Sequence, residues 1–221
     1  MARILAKYAV CPVLWVDIYV NPDSVEELVK MLKLYRRMGY SAIGVDRAFL
    51  KRHKKSIASL GEEVLGATKV RLLPTAYIKC KGEREAKALV RKAFDSGCLI
   101  IGSALDLSAF RFFSRDSRVR VVELKPKFTM NVDRNEALLL KTGSSALGIN
   151  LSYLLRSPAM MSWLSTAISR VLKYSISLVL YSGAKRWNEL WHPRQVYSLF
   201  ESLGFHGRQG LLALRPFFMS K

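Results

Sequence analysis

The side chains with which this chain could run proton or metal chemistry are few. Its three histidines, His53, His192 and His206, are scattered, and no two stand at the spacing that shared metal ligation requires. His192 precedes Pro193 at the start of an amphipathic run, where helix capping accounts for it. His53 lies inside a basic cluster, and His206 beside a C-terminal turn. Asp17, Asp46, Asp106 and Glu123 fall near expected strand ends, where a β/α enzyme gathers its catalytic groups. In so basic a chain, isolated carboxylates there read first as ion-pair partners of nearby lysines and arginines. No G-x-G-x-x-G, Walker-type loop or G-x-S-x-G elbow occurs, which leaves nucleotide-cofactor and serine-hydrolase chemistry without support. Cys11, Cys80 and Cys98 are odd in number and form no C-x-x-C pair; they read as small apolar residues in a reducing compartment. Ser182-Gly183-Ala184 follows an apolar run and either offers backbone amides to an anion or is ordinary turn punctuation.

Cationic chemistry is abundant by contrast. The 221 residues carry 36 Lys+Arg against 17 Asp+Glu, a formal charge of +19. The excess is +6 over residues 1–60, +6 over 61–130 and +7 over 131–221. A basic tail on a neutral domain would load one end; this is a folded unit that is positive throughout and calls for a polyanion. Lys51-Arg52-His53-Lys54-Lys55 forms one cluster. Arg111, Arg115, Arg118 and Arg120 crowd another, with Phe110, Phe112 and Phe113 between them read as core. Lys125 and Lys127 follow an expected strand, Lys185 and Arg186 another, beside Trp187 and Trp191, and Arg134, Lys141, Arg156 and Arg194 populate the C-terminal half. Cations interleaved with aromatics suit RNA, and with no RRM, KH or zinc-knuckle signature, recognition is expected through shape and backbone.

The elements that must position these side chains alternate in period from end to end. Residues 13–20 (VLWVDIYV) read as a buried strand. Ser24 and Glu27 form a capping box, Val25 to Met38 a helix stopped by Gly39, and Ser41–Val45 a strand, which together make a βαβ unit. The same grammar predicts strands at 70–78, 98–102, 119–124, 146–151 and 177–181. Helices are expected between them, short ones at 52–60 and 108–114 and one opened by Pro158, with a last helix opened by Pro193. Alternation of this kind means a parallel sheet covered by helices, and seven or eight units without a linker favour an α/β, TIM-like (β/α) barrel, imperfectly regular, as a single domain over 1–221. The N-terminal apolar run is broken by Pro12 and Asp17, and no apolar stretch reaches the ~20 residues of a membrane span, so a cytoplasmic protein away from membranes is expected.

Asn131–Arg156, Leu178–Lys185 and His192–Phe205 resemble the barrel-like protein subunit of archaeal and eukaryal ribonuclease P. The landmarks are the capping Asp133, the Leu151–Arg156 segment, the Ser182–Ala184 turn and the helix from Pro193 to Gly204. The opening V-D-I-Y-V with Arg37-Met38-Gly39-Tyr40 resembles the family's first βαβ unit. Gly148 departs from it, standing where many relatives carry an acidic residue. The resemblance implies a barrel related to PHP-type phosphoesterases but without their metal-binding histidines, Asp17-Ile18-Tyr19 standing in place of His-x-His. It further implies no catalytic site and no cofactor in this chain, a catalytic RNA with Mg2+ that removes the 5′ leader of precursor tRNA, and a small RRM-like partner subunit. Lys51, Arg52, Lys54, Lys55, Arg111, Lys125, Lys127, Arg134, Arg156, Lys185, Arg186 and Arg194 are the expected RNA contacts. The alternatives are a PHP-like metal-dependent phosphoesterase and a general or ribosome-associated RNA-binding protein.

Overall fold

The computed structural model of the chain describes residues 15–60, 69–125, 132–155, 157 and 159–214. Strand β1 (Trp15–Val20) leads into helix α1 (Val25–Met38), whose first turn is capped by Ser24 accepting from the Glu27 amide at 3.2 Å. Gly39 ends the helix at φ 84°, a left-handed conformation that a side chain would strain. β2 (Tyr40–Asp46) completes the βαβ unit, parallel to β1. Only half of the expected capping box forms. The Glu27 carboxylate turns instead to Lys30 Nζ at 2.9 Å and to the Trp187 amide at 3.0 Å, far along the chain.

Two short helices, α2 (Arg47–Arg52) and α3 (Lys54–Leu60), occupy the stretch expected to be irregular. There follow β3 (Arg71–Cys80), α4 (Glu83–Phe94), β4 (Leu99–Ala104), α5 (Leu107–Arg115), β5 (Val121–Glu123) and α6 (Arg134–Thr142). β6 (Ala146–Asn150), α7 (Met160–Lys173), β7 (Leu178–Tyr181), α8 (Pro193–Ser202) and α9 (Gly207–Ala213) complete the order. The seven strands form one parallel sheet in sequential order, each paired with the next. Sequential parallel order is what curls a sheet toward a barrel.

Between β7 and β1 no regular ladder runs; the seam is closed from the segments around it. Gly183 N donates to Tyr19 O at 3.1 Å, Asn21 N to Ala184 O at 2.9 Å and Asp23 N to Lys185 O at 3.1 Å, while Val16 N donates to Leu214 O at 3.1 Å. α9 thus plugs one end of the seam, an element the sequence pattern left ambiguous.

The core has an inner and an outer part. Inside the barrel lie Val16, Ile18, Tyr19, Ala42, Ile101, Val121, Ala146, Val179 and Tyr181, joined by Leu73, Tyr77 and Leu99. Outside the sheet, the apolar faces of α1, α2 and β2 make one cluster, and those of α4 to α9 a larger one containing Phe110, Phe112, Phe113 and Phe200. The phenylalanines near the arginine-rich helix are therefore core. Gly148 faces inward: a Cβ there would stand 2.4 Å from Val121 Cγ1 and 3.2 Å from the Tyr181 ring. Where many relatives are expected to carry an acid, this barrel has filled the space from the neighbouring strands.

Candidate nucleic-acid interface

In β/α barrels the catalytic position is the mouth at the carboxyl ends of the strands. Here aromatic rings fill it. Tyr19 of β1 stacks on Tyr77 of β3 with centroids 5.0 Å apart and meets the Tyr181 ring of β7 edge-on at 6.2 Å. Such pairs contribute roughly 0.5–1.5 kcal/mol each beyond their burial. Glu123, the last residue of β5 and buried, accepts hydrogen bonds from Tyr77 and Ser103, and from the Tyr153 hydroxyl at 3.0 Å. Three hydroxyl donors are what a carboxylate needs in order to stay inside a barrel. Burial and the nearby Glu123 charge push the phenols of Tyr77 and Tyr181 well above their ordinary value, and burial with Asp46 does the same for Tyr19. Phenols held this firmly in the neutral form donate hydrogen bonds and are poor general bases. Among the described residues no three His, Cys, Asp or Glu side chains converge as a metal site.

The four carboxylates expected to pair with cations do something else. Asp17 faces away from the barrel interior, where its Oδ2 accepts from the Tyr35 hydroxyl at 2.6 Å and both oxygens accept from Ser182 N at 3.2 Å. Burial raises its pKa, against the pull of these bonds. The Ser182-Gly183-Ala184 amides are all engaged inside the chain: Ser182 N by Asp17, Gly183 N by Tyr19 O, and Ala184 N by Ser182 Oγ at 3.2 Å. The turn does hold an anion, the chain's own Asp17, and this bond pins the barrel seam. Asp46 caps α2 through the Ala48 and Phe49 amides at 2.8 and 3.1 Å, and Asp106 caps α5 through Ala109 N at 2.8 Å while also accepting from Gly82 N at 2.8 Å. Helix starts directly after strands present unmet N–H groups closer than any flexible cation. His192 caps α8, its Nδ1 accepting from Arg194 N at 3.0 Å, and the His53 ring packs against Phe49 with centroids 4.6 Å apart.

Because the acids serve amides and hydroxyls, the outer surface keeps its cations. Lys51 and Arg52 end α2, Lys54 and Lys55 begin α3, and all four are exposed with no ion pair among the described residues. Arg134 opens α6, Lys185 follows β7 and Arg194 sits in the first turn of α8, all exposed. Arg111 and Arg186 are partly committed, Arg111 to Glu136 at 3.3 Å and Arg186 to Asp23 at 3.4 Å. Lys125 is turned inward: its ammonium donates to Ala104 O at 3.1 Å, and burial pushes its pKa below the ordinary lysine value. Lys127 and Arg156 lie outside the described residues.

Two further cationic stripes lie on the outer helices. On α1, Lys33, Arg36 and Arg37 are exposed opposite the buried Leu28, Met31, Leu32 and Tyr35; on α4, Arg84, Lys87 and Arg91 are exposed opposite Ala86, Val90 and Ala93. Their helical spacing was the available signal. Arg47 and Lys51 of α2 both lie close enough to the Cys98 thiol, ahead of β4, to oppose the rise in its pKa that burial causes.

No family model matches the chain. It is 25% identical over 193 residues to ribonuclease P protein component 3 of Aeropyrum pernix, a match that covers 86% of this chain and 87% of that protein. Its fold matches a chain of the cryo-EM structure of archaeal ribonuclease P with mature tRNA, with a TM-score of 0.73 at 14% identity over 90% of this chain and 87% of the other. A. niger ochratoxinase matches with a TM-score of 0.56 at 10% identity, over 90% of this chain and 70% of that one. The barrel expected from the sequence is the fold observed, and the resemblance read from its short landmarks is met by a match that spans nearly the whole chain.

Proposed function

We propose that this chain is a protein subunit of ribonuclease P, assisting a catalytic RNA in removing the 5′ leader of precursor tRNA. The observation that carries this is the near full-length likeness to ribonuclease P protein component 3. The filled mouth and the exposed outer cations fit the same role. A barrel whose catalytic position holds Tyr19, Tyr77, Tyr181 and a hydrogen-bonded Glu123 offers rigidity, not a reacting group. Exposed lysines and arginines at +19 overall offer neutralisation of phosphates. In this reading the RNA and Mg2+ perform the cleavage, a small RRM-like protein subunit binds the barrel directly, and the complex works in the cytoplasm. Among the described residues no helix is long and apolar enough to cross a membrane.

The test is affinity capture of the tagged full-length chain from its native extract, with RNA sequencing and a precursor-tRNA cleavage assay on the eluate. One enriched structured RNA, together with 5′-leader cleavage that the purified chain lacks, is the expected result. Mixed ribosomal RNA without cleavage would overturn it in favour of a general RNA-binding role, and metal-dependent phosphoesterase activity of the RNA-free protein in favour of an enzyme.

A further inference from the structure

A groove with a cavity volume of about 490 Å3 runs along the outside of the barrel between α6 and the end of α7. One wall is α6, with Arg134, Leu138 and Lys141; the other is Lys173, Tyr174 and Ser175. None of the described lining residues is acidic. The two carboxylates nearest in sequence are occupied elsewhere: Asp133 caps α6 through the Asn135 and Glu136 amides at 2.6 and 3.1 Å, and Glu136 faces Arg111 at 3.3 Å. Arg134, Lys141 and Lys173 are exposed and have no ion pair among the described residues. Lys173 Nζ lies over the half-buried Tyr174 ring, 5.5 Å from its centroid.

Between the cations lies an apolar platform, with Leu138 63% exposed. An exposed leucine set among three cations is wasted on a duplex, whose base faces are covered. A single strand presents both parts that this groove matches, spaced phosphates and free base faces. Arg134 and Lys141 are two helical turns apart, about 10 Å, far enough to engage separate phosphates. Resting on the reading of this chain as an RNA-binding subunit, we propose that the α6–α7 groove binds a single-stranded RNA segment. Its phosphates meet Arg134, Lys141 and Lys173, and a base lies against Leu138 and Tyr174.

The experiment uses the full-length chain and fluorescence anisotropy with a labelled oligo(U) of about twelve nucleotides and an RNA duplex of similar length, at about 50 and 200 mM salt. The variant combining Arg134→Ala, Lys141→Ala and Lys173→Ala is expected to bind oligo(U) about tenfold more weakly, with a salt slope shallower by about 2, since three single-strand phosphate contacts are lost. Leu138→Ser is expected to weaken binding about threefold with the slope unchanged, because it removes base contact alone. A charge-matched variant away from the groove, with Arg71→Ala, Lys81→Ala and Lys92→Ala at exposed positions on β3, just after it and on α4, should change oligo(U) affinity less than about threefold. Equal losses in the two triple variants, or an unchanged slope in the groove variant, would overturn the groove while leaving RNA binding intact. An oligo-glutamate peptide that displaces oligo(U) at equal or lower concentration would also overturn it, assigning the groove to an acidic protein segment. Failure of the wild-type chain to bind oligo(U), the duplex and precursor tRNA alike would sink the underlying reading itself.

Discussion

The mouth of the barrel and its outer helical surface hold similar chemical groups but treat them in opposite ways. At the mouth, Glu123 is buried and saturated by Tyr77, Ser103 and Tyr153, and Lys125 is drawn inward to Ala104 O. On the outer helices, Lys33, Lys51, Arg52, Lys54, Lys55, Arg84 and Lys87 stand exposed without ion pairs among the described residues. Desolvation explains the contrast. A charge inside the barrel survives only with a full set of partners, whereas an exposed lysine is stable alone and remains free for a partner that brings its own negative charge. Under the proposed function, binding belongs to the walls and not to the mouth.

Four changes would break or sharpen that contrast. Gly148→Asp, which restores the acid expected in relatives, should cost the most, about 4 kcal/mol or loss of folding in a denaturant titration. Its Cβ has no room beside Val121 Cγ1 and the Tyr181 ring, and it would bring a second carboxylate into the barrel that already buries Glu123. Glu123→Gln should destabilise by about 2 kcal/mol, since a charged acceptor for three hydroxyls is lost. RNA affinity of the folded fraction should stay unchanged, and a drop matching that of surface variants would contradict the division between mouth and wall.

Asp17 supplies a pH signature. Its folded pKa is raised above the ordinary value near 3.8 by burial, so the folded state holds that proton more tightly than the unfolded chain. Its contribution is therefore fully present below the unfolded value and is lost as pH rises through the raised one. Asp17→Asn should flatten the stability-versus-pH curve in that window, and an unaltered slope would show that Asp17 is not the titrating group. The smallest stability effect belongs to the wall. Joint replacement of Lys51, Arg52, Lys54 and Lys55 by alanine should shift stability by no more than about 0.5 kcal/mol. Binding to precursor tRNA should weaken, with a salt slope reduced by several units. A large loss of stability without a change in slope would assign the cluster to folding instead.

Much of this was legible in the sequence because it is local. Ser24 before an apolar 3.6-residue period, Gly39 after it, and Pro193 behind His192 each act within one helical turn, so the helices they bound could be placed from the chain alone. Short β-branched runs between such helices sufficed for the parallel strands and, through their number, for the barrel. The positive charge is a matter of composition, and no fold could hide +19. What only the tertiary structure decided are the relations between distant residues. Asp17 lies 165 positions from the Ser182 amide it holds, and nothing near either residue announces the other. Glu27 left its local capping partner for Trp187 across the seam. The groove on α6 exists because Lys173 and Tyr174, a helix away, are brought opposite Arg134 and Lys141. Local energetics fix turns and periods, but which carboxylate finds which amide, and which cations are left over, is settled only when the sheet closes and distance in the chain ceases to be distance in space.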